Sequence, residues 1–181
     1  RLADTLREAF SIAACGRPGP VLVDIPKDVQ VAQCEFTPAD PLAVAYKPKP
    51  LNPSAVALAA ELIASAKRPF LYIGGGVVAA GAGEELVQLA ETIGAPIGSS
   101  MMGLAAVPHS HPMFLGMTGM HGRYAASIAL DRSDLIIAVG TRFSDRATGN
   151  KQEFAKNHKV LHIDIDPAET GKNIPAYVSL V

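Results

Sequence analysis

The sequence predicts an α/β domain whose parallel sheet is covered by helices on both faces. Three observations carry this reading. Short apolar runs alternate along the chain with segments of helical periodicity, which is the signature of strands joined by helices. The clearest run, Leu135-Ile-Ile-Ala-Val139, is apolar at every position, as a strand covered on both faces must be. Two of the runs end in glycine, at Gly74 and Gly140, where the chain can turn sharply and a ligand can approach the backbone. The expected architecture is a three-layer α/β/α domain with a doubly wound, six-stranded parallel sheet.

The chain has 181 residues, 49% hydrophobic and 18% charged, enough for one ordinary domain with a large core and some flanking structure. A formal net charge of −1 provides no electrostatic case for nucleic acid or an anionic membrane as partner. No apolar run approaches the roughly 18 residues that span a bilayer, and there is no signal-peptide pattern. Cys15 and Cys34 form no metal-ligand cluster and read as free thiols of a cytoplasmic protein. The chain opens at Arg1 inside a helical pattern and closes inside an apolar run, 177–181, so a piece of a longer protein is expected.

Taken in order, Leu2, Leu6, Ala9, Phe10 and Ala13 recur at helical spacing, with Gly16 as the stop. Pro20-Val-Leu-Val-Asp-Ile-Pro26 reads as a short buried strand closed by proline. Pro38, Pro41, Pro48 and Pro50 then fall in a stretch of little periodicity, which marks a linker and a domain boundary. The expected organisation is residues 1–36 as the tail of a preceding domain, 37–52 as linker and 53–181 as the main domain. An alanine-rich helix spans 53–66, capped by Asn52 or Ser54. A strand over 70–73 runs into Gly74-Gly75-Gly76. A helix over 84–93 places Leu86, Leu89, Ala90 and Ile93 on one face and stops at Gly94. A short strand covers 95–99, and residues 101–119 read as a long loop with at most short elements. A helix over 123–130 leads into the strand 135–139. A strand of alternating character covers 159–166, and a turn region over 169–175 precedes the last apolar run.

Ligands of open α/β sheets sit beyond the carboxyl ends of the strands, so the segments behind these strands are the candidate sites. After Val139 come Gly140, Thr141, Arg142, Phe143, Ser144, Asp145 and Arg146. Two arginines there suit an anion such as a diphosphate, although a solvated surface loop has the same composition. Gly74, Gly76 and Ala79 match the G-x-G-x-x-A spacing of a dinucleotide fingerprint. The next strand ends in Ser99-Ser100 with no acid for a ribose, which disfavours a nicotinamide-type site; the other reading is a glycine turn that serves helix–strand packing. Gly116-Met-Thr-Gly-Met-His-Gly122 offers close backbone approach and adaptable apolar contact for a flat ring, or is a flexible loop with core-facing methionines. His162 and Asp164 share a strand face and Asp166 follows; an acid there suits ribose hydroxyls, or, for Asp166, a cap on the turn at Pro167. His109 and His111 have a spacing a metal can use, but no acid or thiol stands close in sequence, which disfavours zinc. No nucleophile elbow, His-Glu-x-x-His or Cys-x-x-Cys occurs. Read alone, these residues describe a domain that binds a nucleotide-like ligand through its strand ends.

Together, six blocks closely resemble the acetolactate synthase (acetohydroxyacid synthase) family of thiamine-diphosphate-dependent enzymes. They are Gly16-Arg-Pro-Gly-Pro-Val-Leu-Val-Asp-Ile-Pro-Lys27, Gly74-Gly75-Gly76, Met101-Met-Gly103, Gly119-Met-His-Gly122, Arg142-Phe-Ser-Asp-Arg146 with Thr148-Gly149, and His162-Ile-Asp-Ile-Asp166 with Gly171-Lys172-Asn173. The first block is common to thiamine enzymes; Gly-Met-His-Gly with Arg-Phe-x-Asp-Arg is far more specific to acetolactate synthase. The resemblance covers essentially the whole chain. It implies a Rossmann-like middle domain, truncated near its last strand and preceded by the end of a pyrimidine-binding domain. The family's Gly-Asp-Gly … Asn motif for thiamine diphosphate and magnesium does not occur in this sequence.

The resemblance further implies that the middle domain binds FAD without a redox role. The contacts it implies are Arg17, Gly75, Ser100, Met101, Thr118, Gly119, Met120, His121, Gly140, Thr141, Arg142, Phe143, Ser144, Asp164 and Ile165. Lys27, Asp145 and Arg146 match positions near the channel to the active site. The family often has two aspartates between Phe143 and Arg146; here the first is Ser144, which keeps hydrogen-bonding capacity without the negative charge. No catalytic or metal-binding residue is implied in this stretch. By the same resemblance the parent enzyme condenses pyruvate with pyruvate or 2-oxobutyrate in branched-chain amino-acid biosynthesis, as a homo-oligomer with a regulatory subunit. The chain by itself is expected to be inactive. The alternatives are the central domain of another thiamine-diphosphate enzyme such as glyoxylate carboligase, a non-enzymatic nucleotide-binding module, or a structural domain with a vestigial pocket.

Overall fold

The computed structural model describes residues 1–38, 50–154 and 156–181. The chain forms two compact units, Arg1–Pro50 and Leu51–Val181.

In the first unit, helix α1 (Leu2–Ala14) stops where Cys15 turns extended and Gly16 takes a positive φ of 58°. A short helix α2 (Lys27–Val31) follows Pro26. The strand expected over 20–26 does not form. Its apolar pattern is that of a buried strand, but a strand needs a ladder, and the described residues of this unit contain no second strand. Leu22 is 89% exposed. No described residue of the unit is buried. Of the expected linker, residues 39–49 lie outside the described residues.

In the second unit, α3 (Pro53–Ser65) starts on the expected cap: Asn52 Oδ1 accepts the amides of Ser54 (3.0 Å) and Ala55 (3.4 Å), and Pro53 occupies the first turn, where its missing N–H costs nothing. Then come β1 (Pro69–Ile73), α4 (Gly75–Ala80), α5 (Gly83–Ile93), β2 (Ile97–Ser99), a 3-10 turn (Met101–Gly103), β3 (Phe114–Met117), α6 (Tyr124–Asp131), β4 (Leu135–Val139), α7 (Asp145–Thr148), α8 (Lys151–Phe154), β5 (Lys159–Ile163) and β6 (Val178–Leu180). Gly81 and Gly94 end α4 and α5 in the left-handed conformation.

The six strands form one parallel sheet in the order β3-β2-β1-β4-β5-β6, a doubly wound arrangement. The strand expected over 159–166 ends at Ile163, and β3 replaces the loop expected across its residues. The register puts Ile97, Leu71, Ile137, Leu161 and Val178 in one row across the sheet. That face packs on Ala59 and Leu62 of α3, Val77 of α4, and Leu86 and Ala90 of α5. The opposite row holds Gly98, Tyr72, Ala138, His162 and Ser179. With Phe70, Ile136 and Val160 this second face packs on Leu130 of α6, Phe143 and Ile174. Both faces of β5 are thus covered, so Val160, Leu161 and His162 are all buried where the sequence suggested alternation.

At the amino edge, Asp134 ties β4 to β1 by accepting the amides of Lys67 (2.8 Å) and Arg68 (2.9 Å). Desolvation acts to raise its pKa, but these amides and the Arg68 charge outweigh it and hold the carboxyl below its ordinary value.

Candidate functional site

Because all six strands run parallel, the segments that follow them meet along one edge. The strand order reverses between β1 and β4, the switch point at which open α/β sheets place ligands. Here the backbone at that point is closed. The Gly74 amide donates to Val139 O (2.9 Å) and the Gly76 amide to Gly140 O (3.0 Å). A Cβ on Gly74 would run into the Gly140 carbonyl, and one on Gly76 would lie 2.6 Å from Gly140 Cα. Gly74 and Gly76 therefore serve backbone packing, and the amide that a pyrophosphate would need at the start of α4 is already engaged. A Cβ on Gly75 would meet only Met102, at 3.1 Å.

The segment after β4 is held from several sides. The Gly140 amide donates to Ile163 O (2.8 Å). His162 Nε2 stands 2.7 Å from Thr141 O, Asn173 Nδ2 donates to Arg142 O (2.8 Å), and the Met120 amide donates to Arg146 O (2.9 Å). Gly119, at φ 90°, lies so close beneath that a Cβ would be 2.6 Å from Arg146 O. Phe143 is the one described non-glycine residue with positive φ, 51°, and its side chain is buried. Its ring lies 5.5 Å from that of Tyr72 and 5.3 Å from His162, edge-on to the latter. Arg142, Asp145 and Arg146 remain exposed, while Thr141 is buried. Asp145 turns back to accept the Arg146 amide (2.9 Å), and the Ser144 carbonyl accepts the amides that open α7.

Beside Arg142 lies a cavity of about 340 Å³ lined by Arg142, Ser144, Asp145, Lys151, Glu169, Lys172 and Asn173. Three cationic side chains against two carboxylates suit an anion. Lys151 Nζ donates to Asn173 Oδ1 (2.7 Å) and Lys172 Nζ to Glu169 Oε1 (3.1 Å), whereas Arg142 makes no ion pair among the described residues. Lys151, Lys172 and Asn173 are not among the expected contacts. Lys172 and Asn173 stand in a block that matched the family; Lys151 arrives through the short helix α8, which no pattern announced.

The same edge exposes large apolar side chains from three different loops: Met101 and Met102 after β2, Met120 after β3 and Ile165 after β5. Ser100 donates its amide to Ile73 O (2.8 Å), and His121 is exposed. Thr118 is buried, with its amide on Ser99 O (3.0 Å). The edge thus combines an apolar rim, exposed arginines and a cationic cavity.

A family model described as thiamine pyrophosphate enzyme, central domain, matches residues 56–181. The chain belongs to that family. It is 55% identical over 179 residues to the acetolactate synthase of Mycobacterium leprae, covering 97% of this chain and 28% of that protein. It is 47% identical over 185 residues to the probable acetolactate synthase large subunit of Methanocaldococcus jannaschii, covering 99% and 31%. It is 50% identical over 174 residues to the acetolactate synthase large subunit of Corynebacterium glutamicum, covering 94% and 28%. The chain spans less than a third of the length of these relatives.

In this thiamine pyrophosphate enzyme domain the remaining candidates separate. Asp164 lies just beyond β5; its Oδ1 accepts the Asp166 amide (3.0 Å) and its Oδ2 is 4.0 Å from His162 Nε2. Asp166 accepts the Ala168 amide (2.9 Å), the capping role that competed with a ribose contact. His109 Nε2 lies 3.0 Å from Leu104 O and His111 Nε2 lies 3.3 Å from Glu91 Oε1, so the two rings are engaged apart. Arg17 and Lys27 belong to the first unit and are exposed. A larger cavity, about 500 Å³, lies between α4, α5 and residues 105–111. Its lining is largely apolar with Glu84 and Glu91 and without lysine or arginine, which fits no anion. No helix among the described residues is long and apolar enough to cross a membrane.

Proposed function

We propose that this chain is the flavin-holding part of an acetolactate synthase catalytic subunit, a cytoplasmic enzyme that condenses pyruvate with pyruvate or 2-oxobutyrate. The observation that carries the reading is the carboxyl edge of the sheet, where exposed Met101, Met120 and Ile165 stand with Arg142 and a cavity lined by Lys151 and Lys172. A flat apolar ring joined to a diphosphate fits that combination. FAD is such a molecule, and the relatives named acetolactate synthase support the parent activity. The flavin has no redox part in that condensation; the residues here bind and orient it. Arg142 faces the diphosphate, Met101, Met120 and Ile165 face the ring system, and Gly75, Ser100, Thr118, Gly119, His121, Gly140, Thr141, Phe143, Ser144 and Asp164 shape the seat. Asp145 and Arg146 face the substrate channel, while for Arg17 and Lys27 the assignment rests on the family resemblance alone. Thiamine diphosphate and magnesium belong to other parts of the full enzyme, which works as a homo-oligomer with a regulatory subunit.

Titration of the chain with FAD, ADP and NAD, followed by flavin fluorescence and thermal shift, tests this. A shift with FAD is expected; a shift with NAD and none with FAD overturns the reading. Arg142→Ala is expected to weaken FAD binding by roughly ten- to a hundredfold, since a hydrogen bond to a charged group contributes about 1.5–3 kcal/mol. An unchanged affinity would show that Arg142 merely faces solvent.

A further inference from the structure

His162 is the buried histidine of this domain, and the expected contacts do not include it. Its side chain is 1% exposed. Nε2 lies 2.7 Å from the carbonyl oxygen of Thr141, and a carbonyl only accepts, so Nε2 must carry the proton. Nδ1 is buried with no hydrogen-bond partner. The ring is therefore fixed, through its Nε2–H, to the loop that carries Arg142.

The same ring stands edge-on to Phe143, 5.3 Å between centroids, and the Phe143 ring is further enclosed by Tyr72 at 5.5 Å and Phe154 at 5.7 Å. Phe143 has φ 51°, a conformation that bulky L-residues avoid and that persists only where the surroundings over-determine it. We propose that His162 is a positioning residue that, through Thr141 and Phe143, sets the backbone from which Arg142 reaches its ligand; this rests on Arg142 being the anion contact argued above. With the Nε2–H removed, the buried Thr141 carbonyl loses its donor and Phe143 loses one wall of its seat. The loop then relaxes, and Arg142 with it.

The test uses the 181-residue chain as wild type, His162→Gln and His162→Leu. Glutamine keeps an N–H at similar reach; leucine fills space without a donor. Nitrogen NMR on the wild-type chain reads the protonation of Nε2 directly and needs no variant; an unprotonated Nε2 overturns the proposal. Hydrogen exchange is followed at the Met120, Ala147 and Thr148 amides, whose acceptors are Arg146 O and Ser144 O, with Leu71 and Ile137 as sheet controls. His162→Leu is expected to speed exchange at the loop amides roughly tenfold with the controls unchanged, and His162→Gln to restore most of the protection. FAD affinity should fall in the same order, also by roughly tenfold for leucine. Equal acceleration at loop and control amides, or a glutamine variant no better than leucine, would reduce His162 to a core residue and sink the idea. If the wild-type chain binds no FAD, the flavin reading fails for this chain, while the exchange pattern still decides whether His162 holds the loop.

Discussion

Tyr72 shows at the residue scale how the second face of the sheet is built around polar groups. Its ring is 1% exposed and its hydroxyl has no hydrogen bond of good geometry. Burial pushes its pKa above 10.0, with the nearby Thr141 and Thr118 hydroxyls opposing the shift. A buried hydroxyl that gains little from its neighbours costs its desolvation without full return. Tyr72→Phe should therefore be neutral or stabilising at pH 7, by up to about 1 kcal/mol. The sign of the pH dependence is also fixed. A phenol whose folded pKa is raised contributes stability that is present below pH 10.0 and is lost as pH rises through the higher folded value. Urea denaturation at pH 7 and above pH 10 checks both statements. The variant should lose less stability than wild type on the alkaline side, and a substantial loss at pH 7 would mean that the hydroxyl is bonded after all.

Elements meet at the switch point through glycine, and this gives the sharpest mechanical prediction. A Cβ at Gly76 would lie 2.6 Å from Gly140 Cα, a backbone atom that cannot step aside alone. Gly76→Ala should destabilise the domain by roughly 2–3 kcal/mol, an overpacking cost, against a small gain in helix propensity. Thermal melting of Gly76→Ala beside Gly75→Ala, in the same helix but with Met102 as its nearest neighbour, at 3.1 Å, separates crowding from helix effects. The sequence could suggest that the glycines pack, but not that the partner of Gly74 and Gly76 is the distant Gly140. Legibility follows covering in the same way. β4 was readable because both its faces are buried, which leaves an unbroken apolar run. β3 was not: it is a four-residue edge strand, mostly half-buried, with Gly116 at φ 92°. The run over 20–26 misled for the opposite reason, since an apolar pattern announces a need for burial without supplying the neighbour. At the site, glycine and arginine blocks were visible one by one. Their convergence on the backbone of one loop, and the arrival of Lys151, depend on topology that no local pattern records.

At the scale of the whole molecule, the domain presents an edge suited to holding a ligand. Among the described residues no group of three or more histidine, cysteine, aspartate or glutamate side chains is placed to hold a metal ion, and the sequence has no Gly-Asp-Gly. Condensing two 2-oxo acids on thiamine diphosphate needs that cofactor fixed in place, because positioning and electrostatic stabilisation supply most of the acceleration. The exposed rim and Arg142 act on a ligand that, in our proposal, keeps its structure throughout. The chain given thiamine diphosphate, magnesium and pyruvate should therefore form no acetolactate above the rate of a buffer control, with or without FAD. Colorimetric assay of acetolactate beside a full-length relative checks this. Turnover approaching that of the relative would show that this stretch holds the reacting cofactor itself, and would overturn its assignment as a flavin-holding domain.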